Sequence, residues 1–467
     1  MRSVWFAILA LGACVPSNRS VFGPVDREVN RRLGFDAAVS WDASADPRVR
    51  PAITKLLEQP LDRDAAVKIA LATNHRLQAD YDRLGIAAAA IASATVLAPT
   101  EVGFNYKFAL SGGSSEAEID AIQDVVGLIQ VAQRRGIAGG ELSAARSRAV
   151  AATLELVARV EMRYVDLVAA QQELELRQTS FDAAAASAEI ADRMYSAGNA
   201  IGRTGPDLAI ARERDQREQA RIDLARAQLD VELRREELNE VLGLSGKDTQ
   251  WTVTARLPEV PAAAPKLDGL EPDSVAASLD LAAVRAEADA AASRVGLARF
   301  RAWLPELGLG VSAARRDGEW EVGPAIRIGI PLFNQQQGPR ARANAELRRT
   351  RNEAIATGVE LRAKARATRQ RVLHAHAEAR HILDVVLPLR QRVLDETLKH
   401  YNAMNASTFE LLVARRDLVE AGHQYIDALR RFWNAAAMAR AMTRGAMPGM
   451  TDDDRAETSR PNRSEED

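Results

Sequence analysis

The stretch "AIRIGIPLFNQQQGPRARA" (residues 325–343) decides the fold class because two different periodicities meet in it. Its first half alternates, with Ile326 and Ile328 on one parity and Arg327 and Gly329 on the other. This alternation predicts a strand with one apolar and one polar face. Its second half opens a charged, Ala-containing segment that is typical of a long helix. The chain is therefore expected to combine long helices with a few two-faced strands.

Four strands are predicted in all, at about 102–108, 123–131, 306–314 and 324–333. The first, "VGFNYKF", alternates as clearly as the opening stretch, whereas the second is weaker. Asn105, Lys107 and Arg327 fall on the polar parity of their strands, and so they are predicted to face water.

The bulk composition excludes several classes of protein. The chain has 467 residues, with 62 Lys and Arg against 64 Asp and Glu, so its net charge of -2 indicates no nucleic-acid partner. Apolar residues make up 47% but aromatic residues only 5%, which favours long Ala-rich helices that pack closely. The single cysteine excludes a disulfide within the chain. The sequence contains no run of about 18 uncharged apolar residues, so no membrane helix is predicted.

The N-terminal stretch "MRSVWFAILALGACVP" resembles a bacterial lipoprotein signal. A basic Arg2 precedes a short apolar run, and Leu11-Gly12-Ala13-Cys14 matches the lipobox. The resemblance implies that residues 1–13 are a signal peptide removed on export and that Cys14 is lipidated. The alternative is an ordinary signal peptide in which the cysteine is incidental.

The rest of the chain divides into two tandem repeats. Pro99 and Pro305 each precede a strand, Tyr195 and Tyr401 each end a long helical pattern, and both pairs are 206 residues apart. A duplication is the simplest source of two landmarks at one offset. The predicted segments are an extended N-terminal arm (14–60), repeat 1 (61–244), a linker (245–271), repeat 2 (272–446) and a disordered polar tail (447–467).

The four strands pose a problem of backbone pairing. In hydrocarbon every backbone N–H and C=O needs a partner, so a sheet must close on itself. Four strands cannot enclose a pore, whereas three copies of the chain would supply twelve. The alternative is a small soluble sheet that caps a helical rod.

Together with the two repeats, several motifs make the chain resemble an outer-membrane efflux protein of the TolC-like family. The resemblance rests on "AWLPELGLGVSA", on "IRIGIPLFNQQQGPRARANAE", and on the paired stretches "RMYSAGNA…DLAIAR" and "KHYNAMNASTFELLVARRDL". It implies a mainly α chain with a small antiparallel β part. The family fold is a homotrimer in which a 12-stranded outer-membrane β-barrel continues into a 12-helix periplasmic α-barrel. The form "PLFNQQQG" is closest to the heavy-metal (CzcC-like) subgroup.

The same resemblance implies a gate at the periplasmic tip. Tyr401 and Glu410 match the gate positions by spacing, and the expected tip residues also include Asn405, Tyr195 and Asp207. A ring of carboxylates in a narrow pore would favour cations. The alternative for Glu410 is a solvated carboxylate at a helix start, where the helix dipole favours negative charge.

Three departures from the family pattern affect this gate. Ala406 stands where some members have a basic residue, and Val413 stands at a second acidic position. Met404 replaces the glycine that is usual in this hairpin, although Gly198 keeps it in the first repeat. We therefore expect the gate to close more by packing than by charge.

No catalytic motif or cysteine-based metal site is present in the sequence. His374, Glu378 and His381 share one helical face, but the two histidines are about two turns apart, which is too far for one ion without help. A solvated polar face is the favoured interpretation, so no metal site or cofactor is expected.

The predicted function is that of a passive export duct and not of an enzyme. The resemblance implies a periplasmic adaptor and an inner-membrane pump, with the RND type expected, and it implies contact with outer-membrane lipid. The predicted location is the outer membrane of a Gram-negative bacterium, with a lipid anchor and a long periplasmic extension. The cargo would be heavy-metal cations or small toxic compounds. The alternative is a periplasmic helical lipoprotein with a structural or tethering role and no pore.

Overall fold

The computed structural model describes residues 18–35, 47–96, 98–108, 116–196, 206–254, 256–316, 319–330 and 335–447. The signal segment, Cys14 and nearly all of the polar tail lie outside these residues. The chain divides into two compact units. Unit 1 comprises residues 1–31, 79–151 and 279–360, and unit 2 comprises residues 32–78, 152–278 and 361–467.

Helices dominate the described residues. They are α1 (Asn18–Leu33), α2 (Val49–Leu57), α3 (Arg63–Thr73), α4 (His75–Thr95), α5 (Val125–Ser196), α6 (Pro206–Leu242), α7 (Leu270–Ala277), α8 (Leu279–Trp303), α9 (Gln337–His381), α10 (Leu387–Asn402) and α11 (Thr408–Thr443). The strands are β1 (Glu101–Lys107), β2 (Glu116–Asp124), β3 (Glu306–Arg316) and β4 (Glu319–Gly329). The predicted class, mainly α with a small antiparallel sheet, is confirmed. Among these helices none has both the length and the apolar character that a membrane-crossing helix requires.

The extended arm predicted for residues 14–60 is wrong where the structure describes it. Residues 18–33 form α1 and residues 49–57 form α2. The residues that drive α1 are Val21, Val25 and Val29, spaced four apart and buried. This spacing places them on one face of a helix, and the surrounding charged residues concealed it.

The second predicted strand is also wrong in its position. Residues 116–124 form β2, and the apolar residues from Val125 onward begin α5. Asp124 marks the junction because its carboxylate accepts a hydrogen bond from the N–H of Gly127 at 3.1 Å, as an N-cap does. The acidic residues of β2 hid its alternation, whereas a continuous apolar run suggested a buried strand.

The remaining element boundaries differ less from the predicted ones. The fourth strand begins at Glu319 and ends at Gly329, not at 333. Two short breaks separate consecutive helices: α3 and α4 meet at Asn74, and α7 and α8 meet at Ser278.

Unit 1 contains the sheet and the helical segments around it. Its aromatic core is the edge-to-face pair of Phe22 and Tyr81, with ring centroids 4.9 Å apart. The segments of α5 and α8 in this unit run antiparallel and are joined by the ion pairs Glu141–Arg294 and Arg148–Glu287. The backbones of these two helical segments approach closely because small residues lie between them. Ala290 of α8 lies beside Gly140 of α5.

Unit 2 contains the junction at which α6 ends against the break between α3 and α4. The hydroxyl of Thr73 donates to the carbonyl of Leu242 at 2.5 Å, and the amide of Asn74 donates to the carbonyl of Val241 at 2.8 Å. These bonds satisfy carbonyls that the end of α6 leaves without helical partners. The side chain of Asn74 also accepts a hydrogen bond from the N–H of Leu77 at 3.0 Å, so it caps the N-terminus of α4.

Replacing Asn74 by Ala is expected to cost about 2 kcal/mol of stability, because a cap and a part-buried hydrogen bond are lost together. The matched control is Asp62→Ala, which removes only the cap of α3, a bond of 2.6 Å to the N–H of Ala65. That control should cost about 1 kcal/mol. Urea unfolding of the detergent-purified protein measures both. Equal losses would show that the bond from Asn74 to α6 contributes nothing.

Candidate functional site

The first candidate site is the four-stranded antiparallel sheet of unit 1, with the strand order β1-β2-β3-β4. The register pairs Phe104 with Ile119, Asp120 with Ser312 and Leu309 with Ile326. The pairing therefore keeps most large apolar residues on one face of the sheet and most charged residues on the other, although Glu101 lies opposite Ile122 and Gln123 lies opposite Leu309. The outer edges of β1 and β4 have no strand partner among the described residues.

One face of this sheet is apolar and exposed. Val102, Phe104, Val322 and Ile326 are each 65% exposed or more, although core strands normally bury such residues. The large apolar residues of this face in the described strands are Val102, Phe104, Tyr106, Ile119, Leu307, Leu309, Val311, Trp320, Val322, Ile326 and Ile328. A continuous apolar surface of this size indicates a partner that is itself apolar.

The opposite face is polar and contains many glycines. Its register positions carry the acidic residues Glu101, Glu116, Glu118, Asp120, Asp124, Glu306, Glu319 and Glu321, the basic residues Lys107, Arg316 and Arg327, and five glycines. Asn105, Lys107 and Arg327 lie on this face, where their strand parity predicts them. Whether the face lines a lumen stays a prediction.

The polar face is the concave one. Arg327 of β4 and Glu101 of β1 form an ion pair of 3.0 Å, although two strands lie between theirs. Neighbouring strands are about 4.8 Å apart, so the pair crosses three such spacings. The strong curl brings the two ends of the sheet toward each other on the polar side.

Gly310 permits this curl. A Cβ atom at this position would collide with the carbonyl oxygen of Ala121 on the neighbouring strand and would lie 2.8 Å from the Cα of Ile122. Both atoms are backbone, so they cannot yield as a flexible side chain would. Any larger residue at position 310 therefore pushes β2 away from β3.

The second candidate site is the turn between α10 and α11 in unit 2. The N–H of Asn405 donates to the carbonyl of His400 at 2.8 Å and closes the end of α10. Met404, at φ 61°, adopts the left-handed conformation that glycine favours, and its side chain is 94% exposed. The substitution of methionine for glycine in this hairpin therefore leaves the turn geometry of a glycine-ended helix intact.

Glu410 forms a capping box at the start of α11. Its carboxylate accepts from the N–H of Ser407 at 2.7 Å, and the hydroxyl of Ser407 accepts from the N–H of Glu410 at 3.3 Å. The backbone hydrogen bond from Ser407 lowers the pKa of Glu410 below its ordinary value. This geometry matches the alternative of a carboxylate that starts a helix. Tyr401 is 36% exposed and Asn405 is exposed. The side chains of Tyr195 and Asp207 lie outside the described residues.

The sequence did not reveal the contact between α6 and α11 near this turn. The guanidinium carbon of Arg212 lies 5.3 Å from the ring centroid of Phe409, in a cation–π arrangement. The ring is half exposed, and Arg212 lies six residues into α6. No spacing rule indicates this pair, because its two residues are about 200 positions apart in the sequence.

Three polar pairs join α5 to α11 further along unit 2. Arg440 donates to Glu161 at 2.9 Å, and Asn434 donates to Asp166 at 2.7 Å. Burial raises the pKa of Asp166 despite the nearby cation of Arg430. Each pair removes the penalty of a buried charge that lacks a partner.

His423 and Glu173 form the third pair, with Nδ1 and Oε2 2.7 Å apart. Burial acts to raise the pKa of Glu173, but the hydrogen bonds and charges of His423 and Arg177 together outweigh it and lower the pKa. The hydrogen bond to Glu173 raises the pKa of His423 above its ordinary value of 6.5. The contact therefore favours the charged form of each partner.

The His374, Glu378 and His381 trio does not converge. Both carboxylate oxygens of Glu378 accept from Arg431, at 2.8 and 2.9 Å. His376, which the spacing places away from the trio, is buried and bonds the carbonyl of Pro261 at 2.8 Å. In the part of the chain that the structure describes, no group of three or more acidic, His or Cys side chains is close enough to hold a metal ion.

Comparisons with known proteins fit this geometry. No family model matches the chain. The cobalt-zinc-cadmium resistance protein CzcC of Cupriavidus metallidurans is 25% identical over 389 residues, which span 81% of this chain and 88% of CzcC. The outer membrane protein VceC from Vibrio cholerae superimposes with a TM-score of 0.63 at 16% identity, over 87% of this chain and 98% of VceC. The CmeC outer membrane channel of Campylobacter jejuni gives 0.62 at 13% identity, over 90% of each chain.

The chain has the TolC-like outer-membrane channel fold. The resemblance predicted from its motifs is confirmed, including the heavy-metal relative. CusC, with a TM-score of 0.60 at 18% identity over 83% of this chain and 92% of CusC, shares the same fold. The two-faced sheet and the turn between α10 and α11 thus belong to a chain with this fold.

We predict that Gly310→Ala destabilises the TolC-like sheet by about 2 kcal/mol, because its Cβ meets backbone that cannot move away cheaply. The matched control is Gly323→Ala on the same polar face, where a Cβ would meet nothing within 4 Å. Urea unfolding in detergent, followed by tryptophan fluorescence, compares the two variants. Equal midpoints would contradict the close strand approach at Gly310.

The His423–Glu173 pair predicts a pH dependence of stability. The raised pKa of His423 adds stability that is complete below its ordinary 6.5 and is lost as the pH rises through the folded-state value. The lowered pKa of Glu173 adds stability that is present above its ordinary 4.5 and is lost as the pH falls. The contribution of the pair is therefore largest between these two values.

His423→Gln should lower the melting temperature more at about pH 6 than at about pH 9, by an amount that corresponds to about 0.5 kcal/mol for a partly exposed pair. His374→Gln is the control, because His374 is exposed and its nearest acidic partner is 3.9 Å away. A His423→Gln effect that is the same at both pH values would rule out the ion pair.

Proposed function

We propose that this chain is the outer-membrane channel of a tripartite efflux system, through which cargo passes passively from the periplasm to the exterior. The observation that carries the proposal is the two-faced sheet with two open edges. Its convex apolar face suits lipid, and its concave polar face suits water. A sheet with both properties needs further strands before it can exist in a bilayer.

Three copies of the chain are the proposed assembly. One chain contributes four strands, and barrels of fewer than about eight strands have no room for a channel. In a trimer the open edge of β1 in one copy pairs with the open edge of β4 in the next, which gives twelve strands. This arrangement satisfies the edges without any segment from another protein.

The proposed cargo is heavy-metal cations or small toxic compounds. CzcC, which is similar to this chain over most of its length, is named a cobalt-zinc-cadmium resistance protein. Eight acidic residues against three basic ones on the concave face would favour the passage of cations. A passive duct needs an energy source, so the proposed partners are a periplasmic adaptor and an inner-membrane pump, with an RND pump expected.

The proposed gate is at the turn between α10 and α11. Tyr401, Asn405 and Glu410 are the proposed gate residues of the second hairpin, and Tyr195 and Asp207 are their proposed counterparts in the first. Because the Ser407 capping box holds the carboxylate of Glu410, this group has a structural role in addition to any effect on ions. Cys14 is proposed as the lipidated residue that anchors the chain in the outer membrane. The chain is proposed to extend from there into the periplasm.

Reconstitution into planar bilayers tests the proposal. The purified full-length protein should migrate as a trimer in detergent and should give discrete conductance steps that favour K⁺ over Cl⁻. Neutralising Glu118, Asp120 and Glu321 together, as Gln, Asn and Gln, should reduce this preference about two-fold or more because the lumen loses charge. A monomeric protein without conductance would contradict the channel and favour a tethering lipoprotein.

A further inference from the structure

The two open edges of the sheet can meet between copies in only a few registers. Each strand pairs antiparallel with the next, so β4 of one copy lies antiparallel to β1 of the next copy. The apolar residues of both strands stay on the convex face, and a shift by one residue would turn them inward. The registers open to this contact, which we call the seam, therefore differ by steps of two residues.

The tilt of the barrel strands narrows the choice further. A path straight across the sheet leads from Gly103 over β2 and β3 to Gly323. Its continuation into the next copy sets the tilt, because the offset adds up over three copies. If Gly323 faces Asn105 of that copy, the tilt is only about 20°, whereas Lys107 gives about 35° and one further step about 45°. Membrane barrels tilt by about 35° to 45°, so the two larger offsets remain.

The charges at the seam select one of these offsets. With Lys107 opposite Gly323, Lys107 lies diagonally across from Glu321, at a distance that long side chains span. A Cβ at Gly323 would meet nothing within 4 Å, so the polar face has room for the lysine there. One further step would place Lys107 diagonally across from Arg327, which repels it. Either offset in the opposite direction would place Glu101 directly opposite an acidic residue of β4.

The selected register also suits Arg327 at the other end of the seam. It places Arg327 opposite Gly103 of the next copy and diagonally across from Glu101 of that copy. Because Gly103 has no side chain, the carboxylate of Asp120 occupies the space where its Cβ would lie. The guanidinium of Arg327 would therefore meet two carboxylates of the next copy.

Arg327 has a different partner in the single chain. There it forms an ion pair of 3.0 Å with Glu101 of its own chain. The strands that carry these two residues are three spacings apart, or about 14 Å across the sheet, whereas β1 of a neighbouring copy is one spacing away, about 4.8 Å. In the trimer the nearer carboxylate is favoured, because Arg327 reaches it without the strong curl of the sheet.

We propose that the seam has the register in which Lys107 faces Gly323 of the neighbouring copy, and that Arg327 exchanges Glu101 of its own chain for Glu101 of the next copy on assembly. This inference rests on the proposed trimeric channel. Lys107 and Glu321 form the second ion pair of the seam. Exposed ion pairs add little stability, but these two align the edges and disfavour a slip by two residues.

Disulfide crosslinking measures the register. In the proposed register Asn105 lies directly opposite Ala325 of the neighbouring copy, whereas the smaller offset places it opposite Gly323 and the larger one opposite Arg327. Asn105→Cys is combined in turn with Gly323→Cys, Ala325→Cys and Arg327→Cys in the full-length protein, which is oxidised in lipid vesicles. Within one chain β1 and β4 are three strands apart, so each crosslink joins two copies.

Denaturing gels then compare the yields of covalent dimers and trimers. The combination of Asn105→Cys with Ala325→Cys should give about three-fold more than either other combination, because a disulfide needs Cβ atoms roughly 3.5–4.5 Å apart. Each single-cysteine variant controls for crosslinks through Cys14. A trimer in which another combination crosslinks best would overturn the proposed register.

Charge reversal distinguishes an ion pair within one chain from one between copies. Glu101→Arg and Arg327→Glu each create like-charged pairs both within the chain and at the seam, so each should lower the dissociation temperature of the trimer by roughly 5 °C. When both variants are produced together, every chain keeps its own like-charged pair, but most seams of a mixed trimer join opposite charges. Mixed trimers, isolated through two different tags, should therefore dissociate at a higher temperature than either pure trimer.

The matched control is Glu306→Arg, which makes the same change of charge at the same end of the polar face. Glu306 belongs to β3, which has a neighbouring strand on both sides within the chain, so it lies away from the seam. The control should leave the dissociation temperature unchanged. Mixed trimers that are no more stable than the pure ones would overturn the exchange. If the natural protein is a monomer and no cysteine combination crosslinks, the proposed channel itself fails.

Discussion

The backbone of the two edge strands is the constraint on which the structure depends. A lone four-stranded sheet leaves one row of N–H and C=O groups open on β1 and another on β4. In water these groups bind solvent, but in hydrocarbon each one costs several kcal/mol. The apolar face makes water a poor environment for the sheet, and the open edges make lipid a poor one for a single chain. In the proposed trimer both requirements are satisfied, because each open edge pairs with a neighbouring copy.

The helices follow a different rule, which is close packing with thin side chains. Alanine and glycine at the contacts between helices allow short distances, and polar pairs fix the register. The polar pairs between α5 and α11 place three acidic groups at intervals along the contact between these helices. Each acidic group has its own hydrogen-bond donor. Such pairs add little stability, but a slip of one turn would leave every charge without its partner. They therefore favour a unique alignment over a merely stable one.

The sequence was sufficient where a pattern was local. The strands β1, β3 and β4 and the long helical patterns that end near Tyr195 and Tyr401 followed from periodicity. The polar face of the sheet also followed, because side-chain parity is a local property of a strand. These features locate the apolar and polar faces of the sheet, on which the proposed channel function mainly rests.

The sequence was insufficient where a long-range contact decides the outcome. β2 is acidic on its polar parity, and only its register with β1 and β3 shows that it belongs to the sheet. α1 is helical because its valines find a buried site in unit 1, which composition does not reveal. The Arg212–Phe409 contact joins α6 to α11 across a long stretch of sequence, so no local pattern indicates it.

Hydrogen exchange of the strand amides in the bilayer tests the central claim most directly. Amides of β1 and β4 that face away from the described sheet should be protected as strongly as those of β2 and β3, because a neighbouring copy pairs with them. Outer-edge amides that exchange far faster than the inner ones in the lipid-bound protein would show that the edges stay open. The sheet would then not close between copies, and the account of the channel would be contradicted.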